Sequence, residues 1–167
     1  MKKMKLMRRK DREVTDATEI AAILQAAHVI HLGIQTPDYP YVVPTNYGFE
    51  FVDQQLFIYL HGAPVGRKHD LIAQYPKVGF EIDDGGHLMT TTNGDPSQNS
   101  SAYRSIIGTG NAELVTDLAA KQHALQTILV HETGHAWPNI KEHDVEYVGV
   151  IKITVNQYSA KAHYDPK

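Results

Sequence analysis

Three strand-like runs stand in line between His28 and Gly62: HVIHLGIQT, YVVPTNYGFEF and LFIYLHG. Only TPDYP and VDQQ separate them. Parallel neighbours need a crossover of roughly a dozen residues or more, so these runs have to pair antiparallel, as hairpins. Pro44 lies inside the second run. It cannot donate to a ladder, which predicts an edge strand or a bulge there. Three more runs read as strands: KVGFEID, then AYRSIIGTGNAELV with Gly108 and Gly110 allowing a bend, then VEYVGVIKITVNQYSA.

Helical spacing marks three other segments. ATEIAAILQAAH puts Ile20, Ile23, Leu24 and Ala27 on one face, after Thr15 or Asp16 as N-cap. APVGRKHDLIAQYP reads as a short helix ended by Tyr75-Pro76. DLAAKQHALQTILVHE carries a stripe of Leu118, Ala119, Leu125, Ile128 and Leu129. DDGGHLMTTTNGDPSQNSS reads as a long polar loop. Six strands with glycine-marked bends predict a mainly β chain, a small antiparallel barrel, closed or split, with helices at its periphery. No strand–GxGxxG–helix unit is present, which argues against a Rossmann domain.

Charge is distributed unevenly. Residues 1–12 hold seven Lys/Arg and one Asp, net +6, while the remainder holds nine Lys/Arg against eighteen Asp/Glu, net −9. The expected organisation is a solvated basic arm over 1–12 and a single domain over 13–167. An acidic body argues against a nucleic-acid partner. No apolar run nears the roughly 20 residues that span a bilayer, so no membrane association and a cytoplasmic location are expected. With zero cysteines there is no disulfide, thiol nucleophile or Cys-ligated metal.

HETGH, residues 131–135, has the H-E-x-x-H form of zinc hydrolases. Such motifs need mid-helix backbone so that both histidines share a face. Gly134 inside the motif and Pro138 after it instead signal a helix end. The expected role of His131 and His135 is to complement the negative end of a helix dipole, with no metal bound. His28 and His31, three apart on a strand, face opposite ways and make a poor metal pair.

A phosphate-site signal lies between His61 and Asp83. A strand ends at His61, a Gly- and Pro-containing turn comes next, and Gly66-Arg67-Lys68 opens a helix. Helix N-termini offer free amides and positive potential, and the adjacent cations add a donor fork and a point charge.

MRRKDREVTD, YVVPTNYGFE, FIYLHGAPVGRKHDLIAQYPKVGFEID and AYRSIIGTGNAELV occur in an order that resembles the pyridoxamine 5′-phosphate oxidase-like group. Within it, the sequence is most similar to the nitroimidazole-resistance branch. The resemblance runs from about Met7 to about Ile153. It implies a six-stranded split β-barrel binding FMN at a homodimer interface. Val43, Pro44, Thr45 and Asn46 match the strand that lines the isoalloxazine ring. His61 and Gly62 match the strand end beside the flavin, and Arg67 and Lys68 match the pair that grips the phosphate. Arg104, Ser105 and Ile106 match a strand that reaches the cofactor from the other subunit. An arginine that the larger oxidases carry on the strand of Tyr41-Val42 is missing here, and so is their C-terminal Arg/His pattern. Many nitroimidazole-resistance relatives have a Cys and an aromatic residue where Ser97 and Asn99 stand.

The expected function is therefore an FMN-dependent reductase of small acceptors, nitroaromatic compounds among them, fed by NAD(P)H or another donor. His61 is expected to donate a proton beside the ring. Tyr103 and Trp137 are candidates to contact the flavin, although packing is the simpler role for each; for Trp137 that means plugging the barrel. The alternatives are a flavin- or haem-binding protein without turnover and, through HETGH, a zinc hydrolase.

Overall fold

A computed structural model of the chain describes residues 7–92 and 94–165. Its strands form one antiparallel sheet: β1 (Glu13–Val14), β2 (Ile30–Ile34), β3 (Tyr41–Thr45), β4 (Tyr47–Val52), β5 (Gln55–Gly62), β6 (Lys77–Met89), β7 (Ser100–Val115) and β8 (Gly149–His163). The order is β3-β2-β6-β7-β8-β5-β4, with β1 pairing β8. The sheet curls as a split barrel and does not close, because β3 and β4 are its two ends. Pro44 accordingly lies on an edge strand, opposite His31 of β2.

Among the described residues the strands number eight, not six. Residues 41–51 read as one run, yet the chain breaks at Asn46: β3 pairs with β2, and β4 pairs with β5 at the other end of the sheet. Asn46 fixes this corner by donating to the His28 carbonyl and to Glu132 Oε2, both at 3.1 Å. The short β1 is the other addition. Of the basic arm, residues 1–6 lie outside the described residues. Arg12, at its end, donates to the Tyr103 hydroxyl at 3.1 Å.

Inward-facing side chains of the strands meet α1 (Ala17–Ala26), which buries Ile20, Ile23 and Leu24. Asp16 caps α1 by accepting from the Glu19 amide at 2.9 Å. A second cluster lies under α3 (Leu118–Thr133), where Tyr59, Ala124, Ile128 and Val150 pack. The buried stripe of α3 is Lys121, Ala124, Ile128 and His131, while Leu118 is exposed. Apolar periodicity alone misplaced this face. The Lys121 ammonium lies within it because it donates to the Glu146 carbonyl at 2.8 Å.

Three boundaries also differ from expectation. β6 continues to Met89 across a bulge between Asp83 and Gly86, so the polar loop is shorter than 83–101. Gly85 turns at φ 79°, and a Cβ on Gly86 would lie 2.2 Å from the Ala102 carbonyl. Residues 142–147 form a short helix, α4 (Glu142–Tyr147), and the last strand starts only at Gly149. Trp137 does not plug the barrel. Gly134, at φ 72°, turns the chain outward, and the half-exposed indole donates to Thr133 Oγ1 at 2.9 Å. Among the described residues no helix is long and apolar enough to cross a membrane.

α3 lies directly on the backbone of β4. A Cβ on Gly48 would sit 2.6 Å from the Ile128 amide nitrogen, with no flexible side-chain end to yield. Gly48→Ala should therefore destabilise the fold by about 2 kcal/mol, the usual size of an overpacking defect. Chemical denaturation checks this, and an unchanged midpoint would mean that α3 does not pack so closely.

Candidate functional site

The feature that stands out is the start of α2 (Arg67–Gln74). Gly66 precedes it at φ 131°, in a region that side-chain-bearing residues rarely adopt, and no side chain caps the first turn. The first amides thus keep their donors, and the helix dipole adds positive potential. Arg67 is exposed, Lys68 half-buried. Among the described residues neither cation has a carboxylate partner. Burial holds Lys68 below the usual lysine range. Its Nζ lies over Gly62, 3.6 Å from where a Cβ would project. His69, next along, is buried, and its Nε2 has no partner among the described residues. The ring rests on Gly149, where a Cβ would come within 2.4 Å of it. Burial first, and the Lys68 ammonium second, hold His69 below the ordinary imidazole range.

A phosphate dianion matches this donor set. It would offset the stranded charge of Lys68 and accept from both cations and the free amides. The residues present therefore fit the phosphate end of a nucleotide such as FMN.

His61 lies on the opposite face of β5 from the barrel core. It is exposed at the rim of an apolar cavity of about 180 Å³, walled by Leu125, Leu129, Ile140 and Val148. α3, α4 with its Asp144, and the residues that flank α4 on either side build that wall. Desolvation on the side that faces this apolar wall holds the His61 imidazole below its ordinary range; the Lys68 charge adds to this and Glu132 opposes it. At neutral pH the ring is predominantly uncharged.

The other expected site residues are more dispersed. Along β3, Val43 and Thr45 are half-buried against the barrel, and Pro44 is exposed. Asn46 spends its amide hydrogens on His28 and Glu132. Arg104 is ion-paired to Asp84, with Nε 2.6 Å from Oδ2, and lines a cavity of about 460 Å³. Ser105 stands between Asp83 and Lys161 in the sheet register. Ile106 is fully buried in the core, so its side chain faces no ligand surface. Arg104 lies well along β7 from the part of the sheet that carries His61. Arg104 pairs with Ala162 on β8, whereas His61 pairs with Val150, which faces Val115 on β7. Arg104 and Val115 are about 36 Å apart along the strand at its normal rise.

His131 of the HETGH motif is buried, with Nδ1 2.6 Å from the Tyr47 carbonyl and Nε2 3.0 Å from the Leu24 carbonyl. Neither ring nitrogen is free for a metal, and His135 lies beyond the left-handed Gly134. Sequence reading missed His31, Glu81 and Asp83, whose ligand atoms lie within 4.8 Å of one another on the outer sheet face. His31 and Glu81 are cross-strand partners, a relation visible only once register is known. It also missed the cation–π contact of Arg67 with Tyr41, which links α2 to β3.

The family profile described as pyridoxamine 5′-phosphate oxidase matches residues 16–162. Among solved structures, a candidate 5-nitroimidazole antibiotic resistance protein from Bacteroides thetaiotaomicron is 28% identical, with 90% of this chain and 86% of that chain covered and a TM-score of 0.76. A flavocytochrome from Azotobacter vinelandii shares 21% identity over 96% of this chain and 73% of its own, with a TM-score of 0.75. An FAD- and haem-binding protein from Mycobacterium smegmatis shares 13% over 92% and 74%, with a TM-score of 0.74. At those identities the last two show a common fold. No curated protein matches the chain.

Proposed function

The chain belongs to the pyridoxamine 5′-phosphate oxidase family, and from that premise we propose that it is an FMN-dependent reductase of small acceptors that works as a homodimer. The observation that carries this reading is the half-buried Lys68 ammonium with no counter-charge among the described residues, beside Arg67 at an uncapped helix start. A structure seldom strands a charge that way unless a ligand neutralises it. The 28% identity to the Bacteroides protein makes nitroaromatic compounds the first acceptors to test.

The bound flavin supplies the electron transfer. Arg67, Lys68 and the first amides of α2 hold its phosphate. β3, with Val43, Pro44, Thr45 and Asn46, flanks the ring, and Gly62 leaves room beneath Lys68. His61 stands at the mouth of the apolar cavity, and its protonated minority form donates a proton to an acceptor that has taken up electrons. Leu125, Leu129 and Ile140 exclude water from that acceptor. The distance of Arg104 from His61 along β7 supports the dimer reading, in which Arg104 and Ser105 reach a flavin held by a second copy.

Titration with FMN, FAD and haem, then anaerobic reduction with NADH or NADPH, tests the assignment. Saturable FMN binding with bleaching of the flavin bands is expected. A Soret band with haem and no response to either flavin would make the chain a haem-binding protein instead. His61→Ala should retain FMN and lose about 100-fold in turnover, the low end for a proton-transfer group. The parent rate should fall as pH rises through the His61 pKa, which lies below the ordinary imidazole value. A pH profile unchanged by the substitution would remove His61 from the mechanism.

A further inference from the structure

The guanidinium carbon of Arg67 lies 4.6 Å from the centre of the Tyr41 ring. Among the described residues the Arg67 side chain makes no hydrogen bond or ion pair, so this ring face is its one specific support. Tyr41 itself is well fixed. It opens β3, pairs with Ile34 and packs against the main core. Lys68, the next residue, rests over Gly62 of β5. The two cations are thus anchored on strands from the two separated parts of the sheet, β3 at one end and β5 next to the other end.

We propose that Tyr41 is a positioning residue: its ring holds the Arg67 guanidinium over the phosphate site, and with Lys68 this forms an anion clamp that spans the split in the barrel. The inference rests on the reading of the α2 start as a phosphate site. A planar guanidinium on an aromatic face keeps its N–H edge free, so the ring orients Arg67 without consuming the donors an anion needs. Tyr41 also keeps Arg67 extended across the gap, so less rotamer freedom is lost on binding.

Riboflavin, which lacks the phosphate, separates positioning from general structural support. FMN and riboflavin affinities are measured by flavin fluorescence for the parent and for Tyr41→Phe, Tyr41→Leu, Tyr41→Ala and Arg67→Ala, with folding checked by circular dichroism. Tyr41→Leu keeps apolar volume at the core edge without the ring, which guards against an unfolded Tyr41→Ala. The expected result is that the Leu and Ala variants bind FMN about tenfold more weakly, riboflavin as before, and that Tyr41→Phe matches the parent. Equal losses for both ligands would overturn the proposal, and so would unchanged FMN affinity in Tyr41→Leu while Arg67→Ala weakens it. A parent chain that binds FMN no better than riboflavin would overturn the phosphate site itself, and this inference with it.

Discussion

The double variant Arg67→Ala/Lys68→Met is expected to bind FMN about a thousandfold more weakly than the parent while binding riboflavin equally well. Two charged donors converge on one dianion, and each charge-assisted contact contributes about 1.5–3 kcal/mol. Together they approach three factors of ten, with some loss to non-additivity because both act on the same group. The flavin ring, held elsewhere, should not sense the change.

The same variant should make the ligand-free protein more stable, by about 1 kcal/mol. Lys68 is half-buried and unpaired among the described residues, and burial lowers its pKa in the fold. A lysine with a lowered folded pKa costs stability wherever it is charged. That cost is full below the folded pKa and is released as pH rises from there towards the unfolded value. The stability gap between variant and parent should therefore narrow in alkaline solution and vanish when phosphate or FMN is added to the parent. Residues kept only for structure would show the reverse, a loss of stability on removal. If the ligand-free variant is less stable and FMN affinity is unchanged, Lys68 is a packing residue and the site lies elsewhere.

The range of each interaction decides how much of this was legible in the sequence. The antiparallel sheet was legible because alternation and short turns are local. Pro44 marked an edge strand for the same reason. The break at Asn46 was not, since strand-like residues continue on both sides and the corner is fixed by His28 and Glu132 from elsewhere in the chain. The burial of Lys121 and His131 was not legible, because polarity hides a residue that satisfies its hydrogen bonds in the interior. Arg67 and Lys68 were legible as neighbours at a helix start. Tyr41 lies far back in the chain and meets Arg67 only after β3 docks on β2. The cavity beside His61 needed α3, α4 and the residues flanking α4 to meet the end of β5, which no local pattern specifies.

In HETGH the letters of a metal motif sit on a backbone that cannot use them, and the first histidine serves the core instead. His131→Ala should destabilise the protein by about 4 kcal/mol, lowering the midpoint of thermal unfolding by about 10 °C. The ring lies 4.6 Å from the Tyr47 ring centre and 5.5 Å from that of Phe49, and its nitrogens face two backbone carbonyls. Removing it leaves a cavity and unpaired acceptors where α1, α3 and β4 meet. Leu24 would keep the Tyr47 hydroxyl, which donates to its carbonyl at 2.7 Å, so the loss falls chiefly on the Tyr47 carbonyl and on packing. His135→Ala, beyond the turn at Gly134, should cost nothing measurable. A zinc site predicts otherwise: both substitutions would release metal together, and chelation would destabilise the parent as much as either. Metal analysis and thermal melts on untagged protein, with and without chelator, separate the two. Near-stoichiometric zinc that both variants lose would restore the hydrolase reading, whereas a large effect of His131→Ala alone fits a histidine held for packing and backbone hydrogen bonds.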